Sequence, residues 1–316
     1  MRPAFQPGPH ASAARRLLQL PVVRVVLAIT VVILAHTVTS AVLDAVLELS
    51  GLESNDVAGL VTTLFSLAAV IGAYVLYVRW VERRNAEEFS RSGAAREAVF
   101  GFAVGTFLFT VTALVLLAVG AYTFERGNNG DEVLGELATA LTAGVVEELV
   151  VRGILFRILE EYLGSWLALG LSAAAFGAIH LGNPNATVAG ALAIALEAGI
   201  LLGAAFMLTR RLWLAIGLHA AWNFTQSGVF GVRTSGNEDV AGLLVGHPQG
   251  SSIISGGAFG VEASLVAVLV CCVAGAVFVI RSRARGHVLA PRWSRSHGDD
   301  SDGPALRRTS DAEESR

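Results

Sequence analysis

The sequence predicts an all-α polytopic membrane protein, a bundle of about eight transmembrane helices, on three observations. The 316 residues are 53% hydrophobic and only 16% charged, with a mean hydropathy of +0.60, whereas soluble chains are about one quarter charged. The windows 57–78 and 98–124 contain no ionisable group except tyrosine, and each exceeds the roughly 20 residues that cross a bilayer core as a helix. The basic residues are also distributed with an asymmetry that only an even number of crossings preserves.

Apolar runs near 22–44, 57–78, 98–122, 134–158, 163–181, 187–208, 212–228 and 262–280 are separated by polar or arginine-bearing connections. The first run follows Arg15 and Arg16 as a signal peptide would, but it is long enough to span and more runs follow, so it reads as a retained helix. All 23 basic residues are arginine. With the N-terminus in the cytoplasm, only Arg126 and Arg233 fall on the far side. The opposite connections carry Glu48, Glu53 and Asp56, then Asp131 and Glu132, then the turn GNPNAT. A longer Gly/Ser-rich loop over 229–261, with Glu238 and Asp239, is read as mobile from its length.

The chain therefore divides into a cytoplasmic N-terminal segment (1–21), three N-terminal transmembrane helices (22–133), a core rich in buried ionisable groups (134–228), an extracytoplasmic loop with the last helix (229–280), and a tail (281–316). The tail is rich in Arg, Asp and Ser, and disorder is its expected state. No internal repeat of the kind found in inverted-repeat transporters is visible. Cys271 and Cys272 are adjacent in an apolar run and form neither a disulfide framework nor a CxxC site. Small residues four apart, Ala195/Gly199/Gly203 and Gly170/Ala174/Ala178, predict close backbone packing of the sixth and fifth spans.

Ionisable groups inside the spans are costly, at least roughly 2.5–3.5 kcal/mol for Asp, Lys or Arg at mid-helix, so a cluster of them signals a shared polar interior. Glu147, Glu148 and Arg152 lie on the fourth span, His180 on the fifth, Glu197 on the sixth, and His219 with Asn223 on the seventh. Glu148 and Arg152 are i and i+4, stacked for a charge-assisted pair. Glu147 sits about 100° around the helix, free to face another neighbour. Phe176/His180 and His219/Asn223 repeat the i,i+4 spacing.

A carboxylate, two imidazoles and an amide around a wet cavity are the parts for acyl-bond hydrolysis. Glu147 takes a proton from water, His180 holds or shares that water, and His219 with Asn223 donates to the developing oxyanion. The same groups suit a divalent metal such as zinc, with Glu147, His180 and His219 as ligands. The helix signature HExxH is absent, however, and the metal question stays open at this level.

These residues carry a resemblance. EELVVR (147–152) is similar to an EExxxR motif, FGAIH (176–180) to FxxxH, and HAAWN (219–223) to HxxxN, the motifs of type II CAAX prenyl proteases and bacteriocin-processing or immunity membrane proteins. The resemblance covers about 134–228. It implies an intramembrane endopeptidase of eight spans in which Glu147 and His180 activate water and His219 and Asn223 stabilise the oxyanion. Glu148, Arg152 and Phe176 support them. The expected substrate is a membrane-associated peptide or protein in the lipid bilayer, cut near the cytoplasmic face; the arginine asymmetry places both termini in the cytoplasm and the chain in the cell membrane, and no nucleic acid partner is expected. The metalloprotease label often attached to this family is less secure than its motif residues.

One feature of the geometry resists that picture. At 1.5 Å per residue Glu147 and His219 lie roughly 15 and 12 Å in from Arg157 and Arg211, but His180 lies roughly 25 Å from Gly164. The connection LEEYLGSW must dip into the bilayer or the fifth span must tilt. Two other functions compete: a proton-coupled transporter or channel with a Glu147/His180/His219 relay, and a non-catalytic immunity or scaffold protein. His36 and Trp222 read as packing residues. Glu197 reads as a structural or supporting group, protonated, tuning the site or paired with Arg210 or Arg211. The absence of lysine, with abundant Arg, Ala, Gly and Val, suggests a GC-rich prokaryotic genome.

Overall fold

The computed structural model describes residues 12–51, 55–127, 132–237 and 242–295. Glu53, Asp131, Glu238, Asp239, residues 1–11 of the N-terminal segment and the tail from 296 lie outside them. Helix makes up 77% of the structure, and the one sheet among the described residues is a two-stranded ribbon. The fold is all-α and polytopic.

The chain enters the bundle at Pro21, whose missing N–H costs nothing at a helix start, and α1 (Pro21–Ser50) ends at Gly51 with φ 66°. Asn55 caps α2 (Asp56–Tyr77) by accepting from Ala58 N at 2.9 Å. Next come α3 (Ala94–Ala118) and β1 (Tyr122–Arg126), then α4 (Val133–Glu148), which widens into a π-helical stretch (Leu149–Phe156) and runs on as α5 (Arg157–Ile179). α6 (Val188–Ile194) joins α7 (Ile200–Thr209) through a π turn (Ala195–Gly199). α8 (Trp213–Phe224) also ends in a π turn (Thr225–Val229). β2 (Leu244–Pro248) pairs antiparallel with β1, and Ser264 caps α9 (Leu265–Ala284).

Six described helical runs are long and apolar enough to cross a membrane, where the sequence suggested about eight. The difference has a local cause. The expected fourth and fifth spans form one helical run, Val133–Gly182, broken at Gly164. The expected seventh is the short α8 with its π turn. Gly164 has φ 76°, and a Cβ there would stand 2.7 Å from Pro291 N, so only glycine fits this reversal. The outer faces of α1 and α2 expose Val26, Leu34, Val38, Val42, Leu64 and Phe65. Such continuous apolar surface belongs against lipid.

Backbone proximity holds the centre. A Cβ on Gly101 or Gly105 of α3 would come within 2.3 Å of carbonyl oxygens on α8, and one on Gly217 within 2.2 Å of Ala98 O. Small residues permit this approach, which lets dispersion hold helices together in lipid. On the sixth span Ala195, Gly199 and Gly203 pack as expected, against Gly177, Ala173 and Leu169. The matching row on α5 does not: Gly170, Ala174 and Ala178 are exposed, and the buried small face carries Ser172, Ala173 and Gly177. A helix rich in small residues offers such a row on more than one side, and here the side bearing Phe176 turns inward.

The reversal at Gly164 also resolves the depth conflict. Arg157, taken as the boundary of the fourth span, is only 3% exposed. It donates to Glu82 at 2.7 Å and to Glu161 at 3.0 Å. Measured instead from Gly164, Glu147 precedes it by 17 residues and His180 follows by 16, so both lie roughly 25 Å along their helices and meet at one level. No dip into the bilayer is needed.

Candidate active site

Glu147 and Glu148 close α4 where the π-helical stretch begins, and π turns commonly mark sites where a side chain must be re-aimed. Arg152 Nη1 donates to Glu148 Oε1 at 2.7 Å, with both side chains fully buried. Arg152 Nη2 reaches across to the carbonyls of Ala198 and Gly199 at 3.1 and 3.0 Å. Its guanidinium carbon stands 4.6 Å from the centre of the Phe176 ring, a cation–π contact. Glu148, Arg152 and Phe176 thus form a closed layer joining the fourth, fifth and sixth spans.

Each imidazole is oriented by its Nδ1. His180 Nδ1 lies 2.7 Å from Phe176 O, and a carbonyl can only accept, so Nδ1 carries the proton. His219 Nδ1 lies 3.0 Å from Glu148 Oε1, the oxygen already held by Arg152. In both rings Nε2 therefore faces inward. Glu147 Oε2 is 4.0 Å from His180 Nε2 and 4.0 Å from His219 Nε2, and that oxygen is buried with no hydrogen-bond partner. Asn223, one turn from His219, borders the same space.

These groups stand at the inner end of a cavity of about 400 Å³. Glu136, Ala140, Ala143 and Glu147 give it one wall along α4. A loop at Thr234–Asn237 borders it and is tied down from several sides. Asn183 Nδ2 donates to Ser235 O at 2.5 Å, and Asn185 N to Gly236 O at 3.0 Å. Glu262 Oε2 accepts from Ser235 N at 2.9 Å and from Gln226 Nε2 at 2.8 Å. Burial pushes Glu262 above the ordinary carboxylate value, against the opposing bonds from Ser235 and Gln226.

Tetrahedral metal ligands at about 2.0–2.1 Å stand about 3.4 Å from one another. The 4.0 Å separations are wider than that and closer to the about 4.4 Å of two groups sharing one water. No group of three or more His, Cys, Asp or Glu among the described residues is arranged to hold a metal ion. As they stand, Glu147, His180 and His219 do not fit a zinc shell.

Glu197 is 2% exposed and borders the same small void as Cys271. The arginines considered as its partners are engaged elsewhere, Arg210 with Glu160 at 2.5 Å and Arg211 with Glu97. Glu197 and Glu262 line a void of about 30 Å³ against His219, Trp222 and Asn223, room for about one water. Glu262 escaped the sequence reading because it sits at the edge of a loop. Only the apolar run that follows from i+3 to i+18, Leu265 to Ile280, hints that it is drawn inward. His36 lies away from the site, its Nδ1 3.1 Å from Ser66 Oγ.

Fold and site together define a multi-pass membrane protein with an acid–imidazole cluster at the closed end of a polar-lined cavity. Residues 129–225 match the family model described as type II CAAX prenyl endopeptidase Rce1-like, so this segment is similar to that family of CAAX-type intramembrane proteases. All three motifs fall inside it. No curated protein and no solved structure matches the chain.

Proposed function

We propose that this chain is an intramembrane endopeptidase that hydrolyses a peptide bond of a membrane-associated protein or peptide with a water activated by Glu147. The observation that carries this reading is the unpartnered Glu147 Oε2, equidistant from two inward-facing imidazole nitrogens at the end of the cavity. A buried acceptor without a partner is costly, and a water between these three atoms relieves the cost.

In the proposed reaction the water oxygen attacks the scissile carbonyl carbon and its proton passes to Glu147. His180 Nε2, a lone-pair acceptor because Nδ1 is protonated, fixes the second water hydrogen. The oxyanion takes hydrogen bonds from Asn223 and from His219 Nε2. Donation from that nitrogen requires the imidazolium, whose charge the carboxylates of Glu147 and Glu148 offset at 4.0 and 3.0 Å. On collapse the C–N bond breaks and the proton held by Glu147 goes to the leaving amine. No step passes through a metal. Residues 134–228 form the catalytic core, and the arginine asymmetry supports cytoplasmic termini in the cell membrane.

The test is purified protein, reconstituted in lipid and given a library of membrane-anchored peptides. The wild type is expected to cleave and Glu147→Gln to be inactive. Cleavage that survives the substitution contradicts the general-base role. A proton flux lost in Glu147→Gln, without proteolysis in either form, selects the relay instead.

A further inference from the structure

The two ends of the bundle differ in charge and in access. At one end meet the start of α1, the end of α2, the start of α3, the residues flanking Gly164, the end of α7 and the start of α8, through the pairs Arg24–Glu161, Arg157–Glu82, Arg210–Glu160 and Arg211–Glu97. Arg83, Arg84 and Arg91 belong to connections at this same end, and Arg281, Arg283 and Arg285 to the last turn and cap of α9. Among the described residues only Arg126 and Arg233 lie toward the other end, which carries the β1–β2 ribbon. Arginine bias of this kind marks the cytoplasmic side.

The cavity does not open there. Between the arginine end and Glu147 stands the layer of Glu148, Arg152, Leu149 and Phe176, none more than 1% exposed. Toward the ribbon end the cavity continues past Ala143 and Ala140 to Glu136, about 16 Å along α4 from Glu147. Ser227, one turn beyond Asn223, and Asn183, just past His180, carry the other walls the same way. Asn237 is exposed at the opening, while Ile179, one residue before His180 and 56% exposed, gives the cavity an apolar flank at the level of the site. Apart from His180 and His219 at the inner end, the cavity's ionisable lining consists of the carboxylates Glu136 and Glu147, with no arginine.

We infer that the site is served from the extracytoplasmic side, and that its substrate is a neutral or basic polypeptide segment emerging from the bilayer on that side. The expectation of cutting near the cytoplasmic face then fails, because cytoplasmic termini and this opening lie at opposite ends. A segment ending in a free carboxylate meets the carboxylates of Glu136 and Glu147 along this lining, so an internal bond of a membrane-anchored chain is the suited target. The facing rests on geometry and arginine bias alone, whereas the substrate class rests also on the proteolytic reading.

Two measurements on the full chain separate these. In a Cys271→Ala/Cys272→Ala background, Asn237→Cys and Ser92→Cys are labelled in intact cells with a membrane-impermeant maleimide. Labelling of Asn237→Cys from outside, with Ser92→Cys labelled only after permeabilisation, is expected, and the reverse pattern overturns the facing. Single-span peptides displaying one randomised segment on the outer or the inner side are then co-expressed. Cleavage of the outward set alone, enriched in basic over acidic segments and lost in Glu147→Gln, is expected. Cleavage of the inward set alone overturns the proposal while keeping the protease. Cleavage of neither set removes the substrate class, and the labelling still decides the facing.

Discussion

Two clusters of buried charge occupy this bundle, and they are built on opposite rules. At the arginine end every buried carboxylate among the described residues has a guanidinium: Glu82 is held by Arg24, Arg84 and Arg157, and Glu88 by Arg84 with Tyr74. In the middle, Glu148 is paired the same way by Arg152, but its neighbour Glu147 is left with a bare oxygen. A satisfied network in low dielectric fixes helices in place, while an unsatisfied acceptor stores a demand for a ligand. The adjacent positions 147 and 148 show that one turn of helix can serve both purposes.

The contrast should show as a division between stability and activity. Arg157→Ala removes one of the three guanidiniums on Glu82 and leaves Glu161 with Arg24 alone, and breaking such a buried pair costs about 3–5 kcal/mol. A large drop in the unfolding midpoint in detergent is expected, and an unchanged midpoint would merge the two clusters. Asn223→Ala touches no ion pair. Its expected effect is a loss of about 10²–10³ in kcat with the midpoint retained, as for removal of an oxyanion donor, and a change in KM alone would deny it that role.

A smaller effect concerns pH. Burial alone would raise Glu88, but hydrogen bonds and charge from Arg84, with Arg157 and Tyr74, outweigh it and hold the group below its ordinary 4.5. A depressed folded value means stability that is present above about pH 4.5 and drains away as pH falls through the folded value. Unfolding followed from pH 7 to 3 should show this loss, and Glu88→Gln should flatten it. Equal slopes in both proteins would remove Glu88 as the cause. Smallest is Glu136→Gln at the mouth, half exposed, expected to weaken preference for basic over acidic segments by no more than about fivefold. An unaltered preference would take Glu136 out of substrate selection.

The motif spacings were legible because i,i+4 pairs are a helix property that survives any tertiary arrangement. Glu148 with Arg152 follows directly. The reversal at Gly164 was hidden because helical periodicity continues on both sides of it, and only the positive φ, set by packing against Leu289–Pro291, marks the turn. Arg157 looked like a membrane boundary because a lone arginine usually is one. Its burial depends on Glu82, 75 residues away, which no local pattern reveals. The wrong small-residue face on α5 and the overlooked Glu262 have the same origin in long-range contact.

The most direct test is a structure of the wild-type protein in a lipid nanodisc at a resolution that shows ordered water. The account requires one water within about 3.2 Å of Glu147 Oε2, His180 Nε2 and His219 Nε2. A metal ion coordinated at about 2.0–2.2 Å by these residues, or side chains turned apart with no solvent between them, would contradict it.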